Sequence, residues 1–259
     1  MKNHHAKGSC MNLKIKSLLH WLRKNIALYN AAYLFIPFFD LFCGGRRRPV
    51  FFDIDRIYPS LRCLDQHKEE IRLELEALLP QQDQMPKYHE LDTDLIHASG
   101  RYHRDKRWNV FMLFSYGVKP EHNRALAPRT TALLDQIPDL AQAFFSILDP
   151  GKSIPAHSAP TRSYIRYHLA LRVPETNPPS IRVKDQVYTW KAGESMMFDD
   201  SWNHEIVNHS DGIRAILLVD VLRPMPWPAR WLNRLFFWMG CRWYGPRIGK
   251  AAANFVVRL

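Results

Sequence analysis

Three features of this 259-residue chain predict a mainly β fold with flanking helices. Short segments between Gln142 and Pro224 follow one another, separated by tight turns. Within them apolar and polar residues alternate with a period of two, as half-buried strands do. Upstream the spacing is helical instead, so the strands are expected to pack as an antiparallel sandwich or jelly roll with helices beside it. Hydrophobic residues make up 46% of the chain, enough for a substantial core and too many for a disordered one.

The elements follow in order. Leu18, Leu19, Leu22 and Ile26 recur at helical spacing among Lys14, Lys16, Arg23 and Lys24. The apolar run 26–43 is broken by Asn30, Pro37 and Asp40, which makes it a poor membrane span. With the triplet Arg46–Arg48 behind it, residues 1–48 read as an amphipathic, membrane-associating segment, or as a helix covering the protein's own core. A helix is expected over 60–79, with Leu61, Leu64, Ile71, Leu73, Leu75 and Leu78 on its apolar positions. Residues 107–117 read as a strand ended by Gly117, and 127–140 as a short helix capped by Thr130 or Thr131.

The strands come next. Residues 143–149 form one, and 163–173 another, with Tyr164, Arg166, His168 and Ala170 on one face. Residues 180–183 and 187–190 make a hairpin over Lys184 and Asp185. Three further strands follow, at 194–200, 204–210 and 213–221. The tail, 225–259, interleaves Trp227, Trp231, Trp238 and Trp243 with Arg230, Arg234, Arg242 and Arg247. That composition suits a membrane interface. The division is therefore 1–48, a jelly-roll domain over 49–224, and the tail.

Lysine and arginine outnumber aspartate and glutamate by 36 to 25, so an anionic partner is expected. The excess clusters with aromatics at both ends of the chain. That favours the cytosolic face of an anionic membrane and excludes nucleic acid as the expected partner. Cys10, Cys43, Cys63 and Cys241 lie far apart with no CxxC spacing, which fits isolated reduced thiols.

Chemistry concentrates on His157, His204 and Arg214. Each histidine follows a turn and is expected to head a strand; in a jelly roll such positions can converge at the barrel mouth, where neutral rings make good Fe(II) ligands, the alternative being a pair of satisfied core histidines. Arg214 stands in the apolar run Ile213–Leu218, on the face of Ile216 and Leu218. A guanidinium placed there needs an anion, such as the carboxylate of a cosubstrate.

The strings FSILDPGKSIPAHSAPT, RYHLAL, W-x-x-GE-x-x-x-FDDS-x-x-H and R-x-I-x-L-x-DV-x-RP resemble the aspartyl/asparaginyl β-hydroxylase family of dioxygenases. Weaker similarity extends upstream to Phe51. The resemblance implies a double-stranded β-helix, cupin-like in shape, using Fe(II), 2-oxoglutarate and O2 and releasing succinate and CO2. It makes His157 and His204 the iron ligands and gives Arg214 the distal carboxylate of 2-oxoglutarate, with Ser146 as helper. Arg166 and His168 match cosubstrate contacts, Arg166 also a substrate contact, and Trp108 a substrate-side aromatic.

Two positions depart from the family pattern. Ala159 stands where many related oxygenases, including a lipid A 2-hydroxylase branch, carry a carboxylate ligand, so a two-histidine centre is implied. Tyr164 replaces an Arg that the peptide hydroxylases use to hold an acidic substrate. The implied substrate is an Asp/Asn-like residue or a lipid acyl chain, and the competing class is a non-catalytic jelly-roll module binding anionic lipid.

Overall fold

The computed structural model describes residues 33–92 and 106–259. The helical pattern around Leu18–Ile26 lies outside the described residues. Among the described residues ten strands form two antiparallel sheets. The larger has the order β1 (Phe51–Phe52), β8 (Ser195–Phe198), β5 (Tyr164–Arg172), β10 (Arg214–Leu222), β3 (Leu140–Leu148), β2 (Trp108–Ser115). The smaller has the order β4 (Ile154–His157), β9 (His204–Val207), β6 (Ser180–Val183), β7 (Gln186–Thr189). The chain passes back and forth between the sheets, which is the expected jelly-roll arrangement.

Alternation along the long strands builds two cores. One face of the large sheet, with Ala170, Ile216, Leu218, Phe144 and Val110, meets Ile154, Ile181, Val183 and Ile206 of the small sheet. The other face, with Phe111, Phe145, Tyr167, Leu169, Leu217 and Val219, is covered by helices. Chief among these are α2 (Lys68–Leu78), which buries Ile71, Leu75 and Leu78, and α3 (Pro128–Leu134). Burial of such side chains stabilises by about 1.5–3 kcal/mol each, so the sheet is held from both sides.

Several expectations change. The helix expected over 60–79 is interrupted at His67, whose backbone leaves the helical region while its ring Nδ1 bonds Cys63 O at 2.8 Å. Leu73 is exposed on α2, because the buried stripe runs 71, 75, 78. Neither Thr130 nor Thr131 caps α3: Pro128 occupies its first turn and Ala127 its cap. Both threonines are buried inside the helix, and Glu74 of α2 accepts from the backbone N–H of Arg129 and of Thr130 in the cap's place.

At the ends of the chain, α1 (Ile36–Cys43) packs along α4 (Ala229–Met239), with Phe35 and Phe39 against Phe236 at 4.8 and 5.9 Å. Past a π-helical turn, α5 (Gly245–Ala252) closes one end of the inter-sheet core with Ile248 and Ala252. Among the described residues no helix is long and apolar enough to cross a membrane.

Candidate active site

The two histidines meet across one strand pair. His157 of β4 lies opposite His204 of β9, and their ring centroids are 4.2 Å apart. His204 opens its strand as expected. His157 ends β4 rather than heading a strand, because pairing with β9 already begins at Ile154.

Each ring is fixed by its own backbone. The Nδ1 of His157 lies 2.9 Å from Pro155 O, and that of His204 2.9 Å from Trp202 O. A carbonyl only accepts, so each Nδ1 carries the proton and each Nε2 keeps its lone pair. This is the arrangement in which a metal-binding imidazole is oriented by its second nitrogen. Burial, aided by the neighbouring His204, pushes His157 down to about 3, and burial pushes His204 down to about 4. Both rings are therefore neutral at physiological pH. Among the described residues no group of three or more His, Cys, Asp or Glu could hold a metal ion. At the position two after His157, buried Ala159 contributes its backbone N–H to Asp200 O.

Arg214 faces inward, as strand alternation predicts, and is only 1% exposed. Its Nη1 donates to Ser146 Oγ at 3.3 Å and its guanidinium carbon sits 4.2 Å from the Trp190 ring centroid. Its Nε has no partner among the described residues. Burial without a counter-ion pushes Arg214 down to about 9. Ser146 Oγ also accepts from Trp108 Nε1 at 3.0 Å, so its own hydrogen is left for another acceptor.

His168 extends this unsatisfied group. Both of its ring nitrogens are buried without partners among the described residues, as is Trp190 Nε1. Its ring lies 5.9 Å from Trp190 and 5.0 Å from Phe198, which in turn lies 5.9 Å from His204. Burial, then the Arg214 charge, holds His168 well below its usual value. A buried cation and several unpaired donors around one apolar wall are costly unless an anion joins them.

Arg166 behaves differently. It is bound bidentately by Asp220, directly opposite it on β10, at 2.8 and 2.9 Å. Its Nη1 also reaches Asp200 Oδ2 at 3.1 Å, and Tyr164 donates its hydroxyl to the same carboxylate oxygen. Burial with little water pushes Asp220 up to about 6 despite Arg166. The Arg166 guanidinium is thus already neutralised by the chain's own carboxylates.

Sequence patterning missed the frame around these residues. Asp199, fully buried, accepts from Arg48 at 2.8 Å, pairs with Arg223 at 2.7 Å and accepts from the Ser201 hydroxyl. Burial would raise the Asp199 carboxyl, yet Arg223, Ser201 and Arg48 together hold it below the usual carboxylate value. The turn leading to His204 is therefore clamped. Asp199 and Arg223 stand within the FDDS and DV-x-RP strings, but the pairing of Asp199 with Arg48 crosses 151 residues.

The aspartyl/asparaginyl beta-hydroxylase family model matches residues 65–224, which spans β2 to β10 and every side chain just described except Arg48. The chain belongs to the aspartyl/asparaginyl β-hydroxylase family. Among its relatives, the ornithine lipid ester-linked acyl 2-hydroxylase of Rhizobium tropici is 40% identical over 182 residues, 70% of this chain and 60% of that protein. The human aspartyl/asparaginyl beta-hydroxylase is 34% identical over 122 residues, 45% of this chain and 16% of that protein. The chain thus matches less than two thirds of either relative's length. A Cupin 2 conserved barrel domain protein from Salinispora arenicola superposes with a TM-score of 0.30 at 13% identity, over 49% of this chain and 81% of its own. Family membership makes the chain a member of a hydroxylase family, with the barrel interior as its candidate active site.

Proposed function

We propose that this chain is an Fe(II)- and 2-oxoglutarate-dependent hydroxylase acting on the acyl chain of a lipid. The observation that carries the chemistry is the pairing of two neutral, Nδ1-anchored imidazoles with an uncompensated buried cation in one chamber. The residues fit both groups. His157 and His204 would hold iron through Nε2, leaving its other positions open. Arg214 would take the distal carboxylate of 2-oxoglutarate in a charge-assisted pair, satisfying its idle Nε. When bound, iron with 2-oxoglutarate and O2 supplies the oxidising power that places a hydroxyl on an unactivated C–H, with succinate and CO2 released.

The protein's part is orientation and dryness. Ser146 donates its free hydrogen beside Arg214, and Trp108 fixes that hydroxyl from the other side. His168 offers an N–H to the same anion. Trp190, Phe198, Met196, Ile216 and Leu218 belong to one buried apolar cluster beside these groups, which would keep water from them. Low local dielectric strengthens the pairing of Arg214 with an anion.

Two observations favour lipid over peptide. Arg166 is saturated by Asp220 and Asp200, so it presents no free cation to an acidic side chain. The Rhizobium protein, whose name gives an ester-linked acyl chain as its substrate, matches a longer stretch at higher identity than the human enzyme. A second reading, β-hydroxylation of an Asp or Asn residue, is favoured by Ala159, since the resembling peptide hydroxylases also lack a carboxylate there. Succinate release with membrane lipid extracts, set against acidic peptides, separates the two. Turnover with lipid alone is expected; turnover with peptide alone would overturn the lipid assignment.

A further inference from the structure

From the α1–α4 helix pair we infer a docking platform for an anionic bilayer surface, fixed to the two loops that flank the histidines. The inference deepens the lipid-acyl reading and rests on it for the meaning of the docking. The face itself is read independently from exposure and charge.

The outward side of α4 and the turn before it presents Trp227, Arg230, Trp231, Arg234 and Trp238, spaced so that they share one stripe. Trp227 and Trp231 are 76% and 63% exposed, and together with the two arginines they line an open groove of about 370 Å³. On the adjoining α1 Leu41 is 79% exposed, and Leu34 just before the helix is exposed as well. The opposite side of each helix is spent on the Phe35, Phe39 and Phe236 contact. Large exposed indoles on a helix that already has a buried face need a partner surface.

Charge names that surface. No Asp or Glu occurs between Val221 and Leu259, while Arg230, Arg234 and Arg242 are exposed there, and Arg46 and Arg47 are exposed just past α1. Arg234 is the exception, sharing a weak exposed pair with Asp139. Indoles interleaved with guanidinium groups match the headgroup level of an anionic membrane, where rings enter the interface and cations meet phosphate.

The platform also has an address. Asn233 of α4 donates to Ser163 O at 2.8 Å, and Arg223 donates to Arg162 O at 2.8 Å. Arg162 in turn donates to Asp40 of α1 at 2.9 Å and to Ser201 O at 3.3 Å. The 158–163 loop follows His157, and the 199–203 loop precedes His204. A bilayer bound at α1 and α4 would therefore lie beside the loops that flank both histidines.

The test is flotation of the full chain with phosphatidylglycerol-containing vesicles and with pure phosphatidylcholine vesicles. Binding to the anionic vesicles, weakened by added salt, is expected. Arg230→Ala should weaken it about fivefold, and Trp231→Ala with Trp238→Ala about tenfold or more. Succinate release on detergent-dispersed lipid and the thermal midpoint should stay unchanged in these variants. Undiminished vesicle binding in both variants would overturn the platform and leave residues 1–32 as the docking element. A shift from dimer to monomer in the tryptophan variant, with binding intact, would overturn it in favour of a self-interface. Vesicle binding without turnover on any lipid would sink the proposed function alone; turnover on dispersed lipid without vesicle binding would sink the platform alone.

Discussion

Arg214 carries the sharpest consequence at the scale of a single residue. An arginine that is almost wholly buried, with one hydroxyl and one indole for company, destabilises the ligand-free fold. Arg214→Met keeps volume and removes the charge, so it should stabilise the ligand-free protein by about 1–4 kcal/mol in denaturant unfolding. The same variant should lose 2-oxoglutarate binding. A large destabilisation instead would mean that Arg214 supports the fold. The two histidines make a pH prediction. Their folded pKa values, about 3 and about 4, lie below the unfolded value of about 6.5. The unfolded chain therefore binds more protons across that window, and folding stability falls as pH drops from about 6.5 toward 4. Urea midpoints of the metal-free protein across this range check it. The glutamine variants His157→Gln and His204→Gln should flatten the dependence.

Among the elements, the strands were legible because β5 keeps a period of two: Arg166, His168 and Ala170 alternate with Tyr167 and Leu169, which pack in the helix-covered core. The inward aim of Arg214 followed from the same rule. Helix limits were less legible. A local bond from the His67 ring to Cys63 O breaks the helix expected over 60–79, and a carboxylate from another helix replaces the threonine cap. Neither signal exists in spacing. The β8–β9 turn depends on Asp199, which holds Arg48, Arg223 and Ser201 together in a fully buried cluster. Asp199→Asn removes one charge and strands two guanidinium groups, so it should cost about 3–5 kcal/mol. Glu76→Gln, which breaks an exposed pair with Arg172, should be close to neutral by the same unfolding measurement.

Across the whole molecule, the candidate residues could be picked out of the sequence, while the contacts around them could not. His157, His204, Arg214, Ser146, Trp108 and His168 do converge on one interior. Arg166 shares that face, but register sets it opposite Asp220, and that pairing takes it away from any incoming acid. Trp190 read as the end of a hairpin strand, yet it closes the chamber over Arg214. Such contacts join segments tens to more than a hundred residues apart and depend on strand order, which composition does not encode. The terminal segments, read as two separate membrane-like stretches, meet as one helix pair anchored to the loop that follows His157. One measurement tests the central claim most directly: anaerobic titration of the protein with Fe(II) and 2-oxoglutarate, followed by the weak visible charge-transfer band of the chelate. The band should appear with the native chain and vanish in both His204→Ala and Arg214→Met. No band with the native chain, or an undiminished one in both variants, would contradict the account.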